Sequence, residues 1–129
     1  AEAVVHCAGA VRGHLPEDFH EANVAAPAAL AAAMARHAPQ ARLLVMSSLA
    51  AREPGLSAYA ASKRAGEAAA TYPGVMVTVF RPPAVYGPGD RELRPLLDGL
   101  YRGLGFIPGH RGRFALIFVD DLVDAVLAW

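Results

Sequence analysis

Three short apolar runs separated by helix-forming segments constrain this chain more than any other feature. The runs are residues 3–8 (Ala-Val-Val-His-Cys-Ala), 42–47 (Arg-Leu-Leu-Val-Met-Ser) and 75–81 (Val-Met-Val-Thr-Val-Phe-Arg). Each is aliphatic or β-branched and nearly continuous in apolar character. That pattern predicts strands covered on both faces, as in a parallel sheet. Gly9 closes the first run and Pro82-Pro83 the third. Residues 17–37 have helical composition, with Pro39 beyond their end, and Pro27 inside them predicts a kink or a helix start. Ser57 is placed to cap a second helix from Ala58 to about Thr71, ended by Pro73-Gly74. Strand, helix, strand, helix, strand is the order of βαβ units joined by right-handed crossovers. The fold class expected is therefore α/β, a partial doubly wound parallel sheet of Rossmann-like type.

After Arg81 the rhythm changes. Residues 82–90 are rich in Pro and Gly and read as a loop, 92–104 as a helix, and 103–112 as another loop. A strand-like run follows at 114–119, and Asp120 is placed to cap a last helix, 122–129. No repeat and no interdomain linker is visible. The 129 residues are read as one truncated domain, with substrate-side loops at 82–118.

Composition removes several classes of function. Apolar residues make up 54% of the chain and charged residues 19%, so it can bury a core and is not a disordered segment. Twelve basic residues balance twelve acidic ones, which leaves no electrostatic footprint for nucleic acid or an anionic membrane surface. No apolar run approaches the ~20 residues that span a bilayer. The single cysteine, Cys7, rules out an internal disulfide framework and fits a reducing compartment. On the first run it is expected to be a buried, small apolar filler. A cytoplasmic location is expected, with a small molecule as partner.

Chemistry concentrates at Ser57-Ala58-Tyr59-Ala60-Ala61-Ser62-Lys63. Tyr59 and Lys63 are four residues apart on a predicted helix and share a face. A phenol ordinarily titrates near ~10, so exchanging a proton with an alcohol or ketone near neutral pH requires help. A neighbouring ammonium favours the phenolate and can also donate to ribose hydroxyls. Tyr-x-x-x-Lys by itself is a weak motif, since an amphipathic helix often carries both residues on its rim. Two features sharpen it. Lys63 is the only lysine among twelve basic residues, and the motif follows a strand that ends in Ser47-Ser48. A hydroxyl at the carboxyl end of a parallel strand sits where ligands bind in open α/β sheets, and can stabilise charge on a substrate oxygen.

Taken together these segments resemble the short-chain dehydrogenase/reductase superfamily, in its extended branch of nucleotide-sugar epimerases, dehydratases and reductases. Residues 4–9 resemble the fourth strand and its turn, and Asn23-Val24 the helix asparagine that supports the active-site lysine. Residues 45–48 resemble the fifth strand with its serine, and 59–63 the catalytic helix. Residues 81–89 (Arg-Pro-Pro-Ala-Val-Tyr-Gly-Pro-Gly) resemble the loop after the sixth strand, and 118–125 the late Val-Asp-Asp helix start. The resemblance implies NAD or NADP as cofactor, and oxidation, reduction or epimerisation at a secondary alcohol or ketone of a nucleotide-sugar or similar small molecule. It implies Tyr59 as general acid/base, with Lys63 assisting it and holding the nicotinamide ribose. Ser48 would orient the substrate oxygen, with Ser47 the nearest competitor. Ala8, Gly9, Pro82 and Val85 would contact the cofactor alongside Tyr59 and Lys63.

One departure stands out. None of the twelve glycines forms Gly-x-x-Gly-x-x-Gly after an opening strand, the element that holds the pyrophosphate at a helix N-terminus. The expectation is that the upstream strands lie outside this sequence, and that the fragment alone binds dinucleotide poorly. Two alternatives stand beside the enzyme: a non-catalytic nucleotide-binding scaffold of the same fold, and an inactive fragment associating through an exposed sheet edge, with a homodimer left open. The five histidines have no metal-ligand spacing, and no metal is expected. His6 is read as a structural strand-end residue. Arg91, Arg94, Arg111 and Arg113 flank the later loops, where they either meet an anionic substrate or stay solvated. Tyr86 either lines the substrate pocket or packs its loop.

Overall fold

The computed structural model describes residues 1–104 and 114–129. The backbone falls into two compact units, Ala1–Pro82 and Pro83–Trp129. The first carries three parallel strands, β1 (Ala3–His6), β2 (Arg42–Met46) and β3 (Met76–Phe80), in the order β1-β2-β3. Ala3 stands opposite Arg42, which stands opposite Met76, and the register runs on without a bulge. Helical segments connect them: α1 (Glu17–His20), a π-helical turn (Glu21–Ala25) and α2 (Ala26–His37) after β1, and α3 (Ala58–Ala69) after β2. The α/β alternation read from the sequence is therefore present, with a partial parallel sheet.

Burial on both faces holds only for the central strand. Leu43, Leu44 and Val45 of β2 are buried, and each such aliphatic side chain is worth about 1.5–3 kcal/mol. Leu43 and Val45 pack with Ala31 and Met34 of α2, Ala41, and Ala70 at the end of α3. β1 and β3 are edges of this sheet, and they leave Val5 and Met76 exposed. Cys7 corrects the sequence reading for the same reason. It lies one residue past the end of an edge strand, and is exposed.

The π-turn has a local cause. In an α-helix the N–H of residue 27 would bond to the carbonyl of residue 23, but Pro27 has no N–H. The helix widens over Glu21–Ala25 and resumes with proline in its first turn. The Asn23 carbonyl then meets α3 at Gly66. A Cβ at position 66 would stand 2.0 Å from that oxygen, so only glycine lets the two helices approach this closely. Ser57 caps α3 as expected, its hydroxyl accepting the Ala60 N–H at 3.0 Å. A charged pair ties α3 to the chain leaving β3: Arg81 donates through Nε to Glu67 Oε1 at 2.8 Å and through Nη2 to Glu67 Oε2 at 2.5 Å. Burial pushes the Glu67 carboxyl up. The hydrogen bonds from Arg81 and Ser47, with the charges of Arg81 and Arg64, outweigh it and hold the group below the ordinary carboxylate range.

The second unit contains β4 (Ala84–Tyr86), α4 (Arg94–Tyr101), β5 (Leu116–Phe118) and α5 (Val119–Leu127). β4 pairs in parallel with β5, with Val85 opposite Ile117. A strand thus lies inside the stretch read as loop. Proline and glycine bracket it, and its three residues are too few for periodicity to register. Arg94 begins α4 two residues later than read. The run at 114–119 shortens because Val119 already belongs to α5, and Asp120 lies in the first turn rather than at the cap. There its charge faces the helix dipole favourably. Most of the loop read at 103–112 falls outside the described residues.

Two outcomes follow from this packing in the full-length protein. Gly66→Ala should destabilise the fold by about 1–3 kcal/mol through overpacking, despite the helix propensity alanine adds, and a urea midpoint would measure it. Glu67, depressed in the fold, contributes stability that is present above its unfolded value near ~4.3 and lost as pH falls through its lower folded value. Glu67→Gln should therefore flatten the acid limb of melting temperature against pH.

Candidate active site

The carboxyl end of β2 presents two serines in different states. The Ser47 N–H donates to the Phe80 carbonyl at 2.8 Å, extending the pairing one residue past the strand. Its hydroxyl donates to Glu67 Oε1 at 2.5 Å in a buried bond. Ser48 is extended and half-buried, and its hydroxyl accepts the Ala50 N–H at 3.2 Å, capping the 3₁₀ turn Leu49–Arg52. A hydroxyl that accepts keeps its own proton to give. Of the two candidates named from sequence, Ser47 is committed to Glu67 and Ser48 retains a donor. The Leu49 N–H bonds to the Pro82 carbonyl at 2.8 Å, which brings Pro82 beside this turn.

α3 packs on that turn and carries Tyr59 and Lys63. The Lys63 ammonium lies 6.0 Å from the centre of the Tyr59 ring, within reach for a cation–π attraction. The ring also meets Phe19 edge-on at 6.0 Å. Lys63 Nζ donates to the Met46 carbonyl at 3.3 Å. Burial draws Lys63 below the ordinary lysine range, with the charge of Cys7 opposing this more weakly. His6 is held below its ordinary range by burial and by the Lys63 charge. Its place at the last residue of β1 matches the strand-end reading.

The turn after β1 completes the arrangement. Asn23 is buried, and its side chain makes a two-way bond with Ala10: Oδ1 accepts the Ala10 N–H at 2.8 Å, and Nδ2 donates to the Ala10 carbonyl at 2.9 Å. Nδ2 also donates to Ser62 Oγ at 2.9 Å, whose hydroxyl donates to the Tyr59 carbonyl at 2.8 Å. The helix asparagine thus links the β1 turn to the backbone of Tyr59, and the lysine bond goes to Met46. A Cβ at Gly9 would stand 2.8 Å from Asn23 Oδ1 and 2.9 Å from Lys63 Nζ. Ala8, Asn23, Ser47, Lys63 and Glu67 line one cavity of about 10 Å³, room for no more than a single water molecule.

Ala8, Gly9, Ser48, Tyr59, Lys63 and Pro82 therefore all belong to the first unit. Val85 sits in the middle of β4, in the second. Tyr86 packs on Phe118 with ring centres 5.3 Å apart, and both line a concavity of about 380 Å³ with Asp90, Arg94 and Asp98. Arg94 is 3.7 Å from Asp98 with both side chains exposed, and Arg91 is exposed. Arg111, Arg113 and His110 lie outside the described residues. Among the described residues no three metal-ligating side chains come together, and no helix is long and apolar enough to cross a membrane. Sequence reasoning missed Glu67, Gly66 and Ser62. The signal for Glu67 was present: it lies four residues after Lys63, on the same helix face.

Known proteins share this fold. Ceramide reductase of Caulobacter vibrioides is 42% identical over the whole chain, which spans 40% of that protein's length. A human epimerase family protein crystallised with NADPH shares the fold at a TM-score of 0.78 and 18% identity, over 98% of this chain and 52% of that one. WbmG of Bordetella bronchiseptica, solved in complex with NAD, matches at 0.75 and 21% identity, over 97% and 45%. The capsular polysaccharide assembling protein CapF of Staphylococcus aureus matches at 0.63 and 24%, over 98% and 37%. The family profile itself covers residues 1–129, and the chain belongs to the NAD dependent epimerase/dehydratase family.

Proposed function

We propose that the protein is an NAD(P)-dependent oxidoreductase that interconverts a secondary alcohol and a ketone, alone or as part of an epimerisation or dehydration. The observation that carries this reading is the chain's single lysine, 6.0 Å from the ring centre of a half-buried tyrosine and bonded to Met46 at the carboxyl end of a parallel strand, two residues before a serine whose hydroxyl keeps its own proton. Tyr59 exchanges a proton with the substrate oxygen. Lys63 stabilises the phenolate by its charge, and its burial strengthens that effect. Ser48 donates to the same substrate oxygen and offsets charge developing there.

The residues present fit a nicotinamide ribose. Lys63 spends one of its three N–H donors on Met46, which leaves two for a vicinal diol. Gly9 has no side chain to occupy the space beside the ammonium. Ala8 and Pro82 would flank the cofactor. When bound, the nicotinamide supplies the hydride acceptor or donor. The substrate class is a secondary alcohol of a small molecule. Similarity to a ceramide reductase makes ceramide, which carries a secondary hydroxyl, the first probe, with nucleotide-sugars as the second.

The test uses the full-length protein with NAD⁺ and NADP⁺ against ceramide micelles and a nucleotide-sugar panel, followed by nicotinamide absorbance. Tyr59→Phe should lower kcat by roughly 10²-fold or more while cofactor affinity is kept. Equal turnover by wild type and Tyr59→Phe would sink the assignment.

A further inference from the structure

Two adjacent serines end β2, and the structure contains a device that distinguishes them. Glu67 is buried, one helical turn beyond Lys63, and it receives three donors: the Ser47 hydroxyl, Arg81 Nε and Arg81 Nη2. Arg64 stands 3.7 Å from the same carboxylate. A buried carboxylate without such partners would carry a large desolvation cost, so the guanidinium keeps it charged and accepting. Charge-assisted bonds of this kind are short and directional. Ser47 therefore has its hydroxyl proton fixed on Glu67.

The same carboxylate sets the seating of α3. Lys63 grips the carbonyl of Met46, and Glu67 grips the hydroxyl of Ser47. Two helix residues one turn apart thus hold two consecutive residues, the last of β2 and the one after it. The residue after them is Ser48, whose hydroxyl is held by the Ala50 N–H, and the next N–H is held by Pro82. Arg81 lies directly before Pro82, so the same strand exit supplies both the guanidinium and that carbonyl.

We propose that Glu67 is a positioning residue for Ser48. By accepting the hydrogen bond of the Ser47 hydroxyl and locking the strand end to α3, it makes Ser48 the serine that serves the substrate oxygen and fixes where that hydroxyl stands relative to Tyr59. This rests on the catalytic reading above, in which Ser48 and Tyr59 act on one oxygen. Glu67 acts through Ser47: its carboxylate bonds to that hydroxyl, while the Lys63 ammonium bonds to the Met46 carbonyl.

The experiment compares Glu67→Gln, Ser47→Ala and the double variant in the full-length protein, with Tyr59→Phe as control and ceramide or the responding nucleotide-sugar as substrate. Both single variants should lower kcat, Glu67→Gln by about tenfold, because a small misplacement of a positioned group costs that much or more. Cofactor affinity by fluorescence titration should stay within about twofold, since neither residue is assigned to the cofactor. The double variant should be no slower than Glu67→Gln alone, because the two residues act as one unit. Amide exchange in the peptide covering 47–52 should rise in both, as the Ala50 N–H reports the place of the Ser48 hydroxyl. Should Glu67→Gln fail to fold, Ser47→Ala carries the test with the same readouts. Unchanged kcat in folded variants, or losses that multiply in the double, would overturn the proposal while a dead Tyr59→Phe leaves the catalytic reading standing. An active Tyr59→Phe would remove both.

Discussion

The close approach of α3 to the widened turn at Asn23 is the contact on which the rest of the site depends. Gly66 lets a backbone carbonyl come where any side chain would collide with it. Because the two segments touch there, the Asn23 side chain can span from Ala10 to Ser62. The same seating puts Lys63 against Met46 and Glu67 against Ser47. Were the helix held out by even one methyl group, its bonds to Asn23, Met46 and Ser47 would lengthen together, since all three leave one rigid element.

The polar groups around this contact form a chain in which almost every member has one defined partner. Asn23 serves Ala10 and Ser62, Ser62 serves Tyr59, and Glu67 serves Ser47 and Arg81. Buried polar groups are costly when half-satisfied and rigid when complete. Completeness here leaves two kinds of unspent capacity at the sheet end, the hydroxyl proton of Ser48 and the remaining donors of Lys63. These are the groups that the proposed chemistry uses.

Much of this was legible in the sequence, and what was not has a physical reason. Continuous apolar runs and a serine before an alanine-rich helix gave the order of elements and the cap at Ser57, because these signals are local. The spacing of Tyr59 and Lys63 gave their shared face for the same reason. Burial of Cys7 was misread, because whether a strand lies at a sheet edge depends on its neighbours and not on its own residues. β4 was missed because three residues between proline and glycine carry no period. Glu67 was overlooked because a charged residue on a helix normally faces water. Only the tertiary meeting with Arg81 and Ser47 makes this one a buried group.

The lone lysine has a further consequence. Besides the five histidines, every other basic side chain in the sequence is an arginine, which lacks the nucleophilic amine of lysine and stays protonated in proteins. Within these residues the only side-chain amine stands at the centre of the proposed site. An acyl group on that amine removes the charge beside Tyr59. A composition so poor in lysine makes the chain's amine chemistry and its proposed catalysis one and the same address.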